Sequence, residues 1–418
     1  MEAMKEIEKM ARSAKSASSA MANLSSRLKN RALLAMAEAI EDSAEDIKSK
    51  NRIDLKEAKE ASLNPALIDR LTLNDKRIKN MAKGLGEIAE LPDPVGEVIE
   101  EKIRPNGLRI KKIKVPLGVI AIIYESRPNV TSDAAGLCLK AGNAVILRGG
   151  SEAINSNTII AKVLQQAAYS SGIPQGAIQL VETTERKAVF QLIKLDEFID
   201  VVIPRGGEEM IKNIKANSAV PVISHGKGVC HTYVDRDADL EMAETICFNA
   251  KVQRPGVCNA METLLVHNDI AGEFLPRMIK KLEQVKVEIR GDEKAKSILP
   301  HIKNASEDDW STEYLDLILS VKVVDSLSEA IDHINRYGSM HSEAIVTRDE
   351  DAAQRFLKEV DASSVFWNAS TRFTDGGVFG MGAEIGISTQ KLHARGPMGV
   401  RELTSVKFLI FGNGQIRE

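Results

Sequence analysis

The sequence predicts an α/β fold built from two doubly wound domains, each with a largely parallel sheet. From Gly118 onward, short apolar runs alternate with longer segments of helical periodicity, which is the pattern of repeated βα units. The apolar runs are continuous, as expected for strands that helices cover on both faces. A second series of the same kind begins at His231. Sheets of this type bind ligands beyond the carboxyl ends of their strands.

Ahead of these units, the sequence predicts a helical region and then a β-hairpin. Apolar residues at 33, 36, 37 and 40 share one helical face, and Asn64-Pro65 is a typical helix start. Pro92 and Pro94 end the helical region. The hairpin arms are residues 97–103 and 108–115, joined by a turn at 105–107. Because an isolated hairpin is marginally stable in water, it must lie against something else.

The two α/β series supply the remaining elements. In the first, we predict strands at 118–124, 144–147, 177–181, 198–203 and 221–224, and helices at 132–142, 151–170, 185–195 and 208–217. In the second, we predict strands at 231–234, 263–266, 317–324, 343–346 and 365–368, and helices at 240–250, 272–284, 327–336 and 351–360. A last apolar strand, 406–411, has no partner nearby in the sequence, and we expect it to pair with the hairpin across a subunit interface.

Composition indicates an ordinary globular protein. The chain has 418 residues, a hydrophobic fraction of 43% and a net charge of -3, so there is no electrostatic case for nucleic acid or an anionic membrane. The four cysteines form no CxxC pair, which argues against a structural zinc site. No apolar window is long enough to span a bilayer, and the N-terminus lacks a signal core. We therefore expect a cytoplasmic protein.

Residues 251–260, with the sequence KVQRPGVCNA, form the stretch in which we expect the chemistry. Pro255-Gly256 interrupts the helical pattern, so the segment is a loop between a helix and a strand. Cys258 therefore follows a forced turn, where a thiol has a fixed direction and can face a cleft. The alternative is that Cys258 is a small buried hydrophobic residue, as most free cysteines are.

Two turns are candidates for nucleotide binding. Arg148-Gly149-Gly150-Ser151 ends one strand and opens a helix, and Arg205-Gly206-Gly207 does the same two units later. Helix N-terminal amides and guanidinium groups both bind phosphate. The alternative is that the glycines only make tight turns and the arginines are solvated. Residues 380–386 have one residue too many for GxGxxG, and GxxxxGK[ST] does not occur.

Three stretches resemble the aldehyde dehydrogenase superfamily. They are residues 116–129 (PLGVIAIIYESRPN), 140–152 (KAGNAVILRGGSE) and 253–263 (QRPGVCNAMET). The likeness covers essentially the whole chain, including the helical start, the hairpin and the tail with residues 379–386 (FGMGAEIG). It is closest to the branch that reduces an acyl phosphate in proline biosynthesis.

The resemblance implies roles for individual residues. Cys258 matches the catalytic thiol, and Asn129 matches an asparagine that helps to form the oxyanion hole. Arg148 lies where the superfamily has a lysine at the adenosine ribose, and Glu313 matches the glutamate that holds the nicotinamide ribose. We also expect cofactor contacts from Gly149, Ser151, Arg205, Gly206 and Gly207, and substrate or phosphate contacts from Arg127, Lys227 and Arg254, with no metal. For Arg254, a structural salt bridge within the loop is the alternative.

One departure from the superfamily pattern is informative. Members that oxidise aldehydes carry a glutamate upstream of the cysteine, which activates water to release the acyl group. The matching position in this chain is Ser224. A reductase should lack this base, because its thioester must react with hydride and not with water.

The implied activity is the NADPH-dependent reduction of L-glutamate 5-phosphate to L-glutamate 5-semialdehyde, the second step of proline biosynthesis. The resemblance also implies an NADP-binding domain (residues 1–95 and 115–226, with 370–400 returning to it) and a catalytic domain (227–369). Residues 96–114 and 401–418 would form an oligomerisation element of a homodimer or homotetramer. A functional association with glutamate 5-kinase is a further expectation.

Two competing hypotheses remain. The first is an NAD(P)-dependent aldehyde dehydrogenase that acts oxidatively, which the absent general base disfavours. The second is a non-catalytic protein of the same fold, which the intact Cys258 and both arginine turns disfavour. One fast-reacting thiol would distinguish an enzyme of either kind from the non-catalytic protein.

Overall fold

The computed structural model describes residues 2–224 and 226–417, and the chain forms two compact units. The first unit contains the N-terminal part through Ser224, together with Gly380–Gly386 and the chain from Met398 onward. The second unit contains the residues that follow Ser224 as far as Phe379, and the short segment Ile387–Pro397.

Of residues 370–400, which we expect to return to the first domain, Gly380–Gly386 and the residues from Met398 lie in the first unit, and the others lie in the second. The segment Ile387–Pro397 stays with the second unit, where Lys391 and Arg395 both form ion pairs with Asp361, at 2.5 and 2.8 Å. These long-range ion pairs leave no trace in the local sequence pattern.

The first unit begins with helices, as predicted. Its helices are α1 (Glu2–Met21), α2 (Ser26–Asp42), α3 (Ala44–Glu60), α4 (Pro65–Leu71), α5 (Asp75–Glu90), α6 (Asn129–Lys140), α7 (Ile154–Ser170), α8 (Arg186–Leu192) and α9 (Glu208–Asn217). Its first six strands are β1 (Val98–Ile103), β2 (Arg109–Pro116), β3 (Val119–Tyr124), β4 (Ala144–Gly149), β5 (Ile178–Leu180) and β6 (Val201–Arg205).

A four-stranded parallel sheet, in the order β5-β4-β3-β6, forms the centre of this unit. Arg148 pairs in register with Ile123, and Arg205 with Tyr124, so both arginines lie at the carboxyl edge on either side of β3. The strand order changes direction beside β3, and ligands of doubly wound sheets bind at such a point.

The first turn of α7, the helix that follows the Arg148 turn, is capped by a side chain that is distant in sequence. The buried carboxylate of Asp54, in α3, accepts from the backbone N–H groups of Asn155 at 3.1 Å and Ser156 at 2.8 Å. N–H groups in the first turn of a helix have no partner within the helix. Asp54 therefore fixes the start of α7 relative to the helical layer.

Two predictions in this unit are wrong in detail. The predicted strand 221–224 is reduced to one bridge, between Val222 and Val202, because Pro221 has no N–H with which to extend a ladder. Residues 198–200 precede β6, which begins at Val201 and runs through Pro204 to Arg205.

The second unit holds a larger parallel sheet. Its elements are β7 (Cys230–Val234), α10 (Leu240–Val252), β8 (Met261–His267), α11 (Asn268–Gln284), β9 (Glu288–Gly291), α12 (Glu293–Ile298), β10 (Lys303–Asn304), β11 (Ile318–Val324), α13 (Leu327–Tyr337), β12 (Ser342–Val346), α14 (Glu350–Glu359), β13 (Ser364–Trp367), β14 (Ile387–Ser388) and β15 (Gly396–Pro397). Seven strands pair in the order β10-β9-β11-β8-β7-β12-β13, all parallel. The predicted fold class is thus confirmed in both units, although β9, α12 and β10 were not predicted.

The last strand, β16 (Thr404–Phe411), pairs antiparallel with β2 along its whole length. With β1 it completes a three-stranded sheet in the first unit. The expected pairing of tail and hairpin therefore occurs, but within one chain and not across a subunit interface. Every helix among residues 2–224 and 226–417 is too short or too polar to cross a bilayer.

The start of β3 gives a test of the fold. Gly118 has φ +122, and a Cβ there would lie 2.8 Å from Cγ of Asp200, whose carboxylate accepts from the Val119 N–H. We expect Gly118→Ala to destabilise the protein by about 2 kcal/mol or more, because it combines backbone strain with displacement of a bonded carboxylate. Gly86→Ala is the matched control: its Cβ would meet nothing within 4 Å, and alanine favours α5 by about 1 kcal/mol. Urea unfolding of both variants measures the difference, and equal midpoints would contradict it.

Candidate active site

The thiol loop, which we define as residues 253–260, joins α10 to β8. Cys258 is half-buried in it, whereas the other three cysteines, Cys138, Cys230 and Cys247, are buried. Burial raises the pKa of all three buried thiols, which suppresses their reactivity. Cys258 is thus the most exposed of the four thiols.

The backbone of Cys258 is held from behind by the segment that leads into β7. A Cβ on Gly228 would lie 2.5 Å from the Cα and 2.6 Å from the carbonyl carbon of Cys258. The Sγ of Cys230 donates to the Cys258 carbonyl at 3.2 Å. These two contacts leave the backbone at the nucleophile little room to move.

A second attachment comes from the short 3-10 turn Thr371–Phe373. Arg372 donates from Nε and Nη2 to the Gln253 side chain at 3.0 and 2.9 Å, and from Nη1 to Oδ1 of Asn259. The Asn259 amide in turn donates to the carbonyl of Thr374 at 2.8 Å, and Thr371 Oγ1 donates to the carbonyl of Asn259 at 2.8 Å. Both ends of the thiol loop are therefore fastened to one turn.

The ends of the loop are also joined by a buried ion pair. Nζ of Lys251, in the last turn of α10, lies 2.6 Å from Oε2 of Glu262 in β8, and both side chains are fully buried. Burial lowers the pKa of Lys251 and raises the pKa of Glu262 to about 7. Oε1 of Glu262 accepts from the Leu315 N–H at 3.2 Å, which links the loop to the segment that carries Glu313.

The other predicted residues of the second unit occupy different positions around this loop. Arg254 is exposed and makes no ion pair with any residue that the structure describes, so the salt-bridge alternative has no support. Lys227 is half-buried and donates to the Ser311 carbonyl at 3.2 Å. A second 3-10 turn, Glu307–Ser311, contains Ser311. Glu313 is half-buried in the segment between this turn and β11.

In the first unit, the Arg148 turn has an unsatisfied donor. Arg148 is 8% exposed and donates from Nη2 to the Thr184 carbonyl at 3.2 Å, while its Nε is buried without a hydrogen-bond partner. A buried guanidinium N–H without a partner costs free energy unless a ligand satisfies it. The turn therefore suits an anionic or hydroxyl-bearing ligand.

Carboxylates of the chain lie beside both arginine turns, and one of them accepts a hydrogen bond from a backbone N–H group of the Arg205 turn. Glu125 accepts from the Gly207 N–H at 2.9 Å, and a Cβ on Gly206 would lie 2.8 Å from its Cδ. Glu152 accepts from the backbone and hydroxyl of Ser126, at 2.6 and 2.7 Å. The start of α9 is therefore less available to phosphate than its sequence indicates.

Four further predicted residues lie in the first unit. Asn129 is exposed at the first residue of α6 and donates to Asp133 at 3.0 Å. Arg127 is exposed just before that helix. Ser151 is exposed in a 3-10 turn, and a Cβ on the neighbouring Gly149 would lie 3.0 Å from Cγ of Asn157.

Sequence reasoning missed the residues that hold the thiol loop. Gly228, Cys230 and Arg372 contact the loop from distant parts of the chain, and no local motif marks them. A partial signal exists for the buried ion pair, because Glu262 interrupts an apolar strand.

The two parallel-sheet units and the half-buried thiol in a helix-to-strand loop are features of one class of enzyme. The chain belongs to the aldehyde dehydrogenase family, whose sequence profile matches residues 2–316. It is 60% identical over 413 residues to the gamma-glutamyl phosphate reductase of Caldanaerobacter subterraneus subsp. tengcongensis, covering 99% of this chain and 100% of that protein.

Solved structures agree. The crystal structure of gamma-glutamyl phosphate reductase from Thermotoga maritima matches with a TM-score of 0.97 and 48% identity, covering 99% of this chain and 100% of that one. An acetylating aldehyde dehydrogenase from Geobacillus thermoglucosidasius matches with a TM-score of 0.72 and 19% identity, covering 100% and 98%. The second likeness shows a shared fold only.

The close approach behind Cys258 gives a test of the site. Gly228→Ala should lower turnover and the rate of Cys258 alkylation by about ten- to a hundredfold, because the added Cβ must displace the backbone of the nucleophile. Gly226→Ala is the control two residues away, where a Cβ meets nothing within 4 Å. Iodoacetamide kinetics and a steady-state assay measure both variants. A Gly228→Ala protein with wild-type alkylation would show that this contact does not position the thiol.

Proposed function

We propose that the chain reduces L-glutamate 5-phosphate to L-glutamate 5-semialdehyde and phosphate with NADPH, as the second step of proline biosynthesis in the cytoplasm. The observation that carries the proposal is Cys258, a half-buried thiol on a tightly held loop. The names of relatives that are 60% and 48% identical over nearly the whole chain support this substrate.

In the proposed reaction, Cys258 forms and then releases a covalent intermediate. The Sγ thiolate attacks C5 of the substrate, the bond from C5 to the phosphate oxygen breaks, and phosphate leaves. NADPH, when bound, supplies the hydride that reduces the resulting thioester to a thiohemiacetal. This collapses to the aldehyde and regenerates the thiolate. The Cys258 N–H and the Asn129 side chain, which has a second amide N–H besides the one given to Asp133, are our proposed oxyanion donors.

The lack of a general base supports reduction over oxidation. Ser224 stands where oxidising members of the family have a glutamate, and it is buried. A neutral hydroxyl is a much weaker base than a carboxylate and cannot activate water in the same way. The thioester would therefore persist until hydride, or phosphate in the reverse direction, reaches it.

For the cofactor, we propose that the Arg148 turn binds the adenosine end of NADP. The buried Arg148 Nε without a partner fits an anionic group, and the nearby Glu152 carboxylate suits a ribose hydroxyl. Gly149, Ser151 and the Arg205-Gly206-Gly207 turn are proposed to line the same site, and Glu313 to hold the nicotinamide ribose. We propose phosphate or substrate contacts for Arg127, Lys227 and Arg254.

The three-stranded sheet supports an oligomer. Val406, Phe408 and Ile410 alternate along β16 and are 43–64% exposed, and Ile103 at the end of β1 is 74% exposed. An exposed apolar face of this kind indicates a protein interface. We propose a second copy of the chain as its partner, in a homodimer or homotetramer. We also propose a functional association with glutamate 5-kinase.

The reverse reaction tests the proposed function. With glutamate semialdehyde and NADP, NADPH should form only when phosphate is present, and arsenate should replace phosphate, because no base activates water against the thioester. Cys258→Ala should retain less than about a thousandth of this activity. Rapid phosphate-independent turnover to free glutamate would instead identify an oxidative aldehyde dehydrogenase.

Arg148 should discriminate between the two nicotinamide cofactors. We expect Arg148→Ala to raise the KM for NADPH by about ten- to a hundredfold and the KM for NADH much less, since only NADPH carries a 2′-phosphate to pair with guanidinium. Initial rates with each cofactor give both constants. Arg205→Ala is the comparison: if it shows the selective loss and Arg148→Ala does not, the 2′-phosphate contact belongs to Arg205.

A further inference from the structure

Arg372 is a half-buried cation that hydrogen-bonds only to neutral groups. Its guanidinium donates to the side-chain oxygens of Gln253 and Asn259. No carboxylate among the residues that the structure describes lies within ion-pair distance of it. Partly buried arginines normally pair with carboxylates, because neutral acceptors do not balance the charge.

The nearby cation Arg254 makes the charge on Arg372 less favourable in the protein without a ligand. Burial and the neighbouring Arg254 both lower the pKa of Arg372, while Cys258 and Asp375 raise it. The positive charge of Arg254 is therefore unfavourable for that of Arg372, and a bound anion would relieve this repulsion. The remaining N–H groups of Arg372, and the whole exposed guanidinium of Arg254, have no hydrogen-bond partner among the described residues.

The guanidinium is not the only attachment of the Asn259 end of the thiol loop. Asn259 is already joined to the turn by its amide, which donates to the Thr374 carbonyl, and by its own carbonyl, which accepts from Thr371. These bonds involve no atom of the Arg372 side chain. A neutral side chain at position 372 would release Gln253 but leave the Asn259 end attached, so holding that end does not require the charge.

The position of the charge selects the ligand. Gln253 immediately precedes Arg254, and Asn259 immediately follows Cys258, so the Arg372 guanidinium spans the loop beside the nucleophile. In an acyl phosphate, the phosphoryl group is one bridging oxygen away from the carbon that the thiol attacks. The carboxylate of the glutamate backbone lies at the other end of the substrate.

We infer that Arg372 and Arg254 together bind the phosphoryl group of the acyl phosphate, and inorganic phosphate in the reverse direction. This inference rests on the proposed function. In the forward direction the two cations stabilise the departing phosphate as the C–O bond breaks. In the reverse direction they hold a phosphate oxygen against the thioester carbon, which takes that oxygen as the C–S bond breaks and the thiolate leaves.

The test compares Arg372→Gln, which removes the charge, with Gln253→Ala, which keeps the charge and removes one of the two side-chain acceptors of Arg372. Initial rates of NADPH formation are measured at varied phosphate and at varied glutamate semialdehyde. Arg372→Gln should raise the KM for phosphate by about ten- to a hundredfold, while the KM for semialdehyde changes less than about threefold. Gln253→Ala should leave the KM for phosphate close to the wild-type value.

Two results would overturn the inference. If Arg372→Gln and Gln253→Ala lower kcat alike and leave the KM for phosphate unchanged, Arg372 only supports the loop. If Arg372→Gln raises the KM for semialdehyde instead, the cation binds the substrate carboxylate. If Arg372→Gln does not fold, Arg372→Lys replaces it in the test. Lysine keeps the charge but cannot make a bidentate contact with phosphate, so the KM for phosphate should rise by a smaller factor. The wild-type protein is assayed first. If it forms NADPH without phosphate, the proposed function itself is refuted, and this result is distinct from any effect of the Arg372 variants.

Discussion

The buried ion pair between Lys251 and Glu262 is the interaction on which the candidate site depends. It joins the end of α10 to β8, so the thiol loop has both of its ends fixed. Burial acts against the charge of each partner, and removing one partner of such a pair leaves an uncompensated charge that costs about 3–5 kcal/mol. The pair also bonds to Leu315, whose φ is +54. The segment that carries Glu313 is therefore shaped by the same two residues.

Within these fixed ends, the loop is constrained from three further directions. Gly228 lies against the Cys258 backbone, Cys230 donates to the Cys258 carbonyl, and the turn Thr371–Phe373 binds Asn259. A thiol held this closely loses little additional freedom in a reaction, and such preorganisation supplies much of the rate advantage of enzymes. The sequence separation of these contacts explains why the site requires the whole second unit.

The sequence was sufficient for the elements with strong periodicity and for the position of the loop that carries Cys258. The continuous apolar strands and the Pro255-Gly256 break are local signals, and the structure places β3, β4, β7 and β8 and the loop where these signals indicate. It failed where the determinant was remote. Arg372 lies more than a hundred residues from Gln253, β9 is a short strand with charged residues, and Ile387–Pro397 stays in the second unit through ion pairs to Asp361. Pattern arguments describe what one segment favours, and these cases depend on what a second segment supplies.

The two arginine turns show the same limit in electrostatic terms. Helix N-termini attract anions because their first N–H groups have no partner, and the glycines after β4 and β6 indicated such sites. In the folded first unit, however, Glu125 takes the Gly207 N–H, and Glu152 lies beside Gly150. The attraction for a negatively charged cofactor must then come from side-chain guanidinium rather than from the helix ends. Around the thiol the balance is reversed, because Arg254 and Arg372 carry positive charge without a carboxylate partner among the described residues. The positive charge of these two arginines beside Cys258 suits the phosphorylated substrate that we propose, so the charge distribution of the loop and the proposed leaving group are complementary.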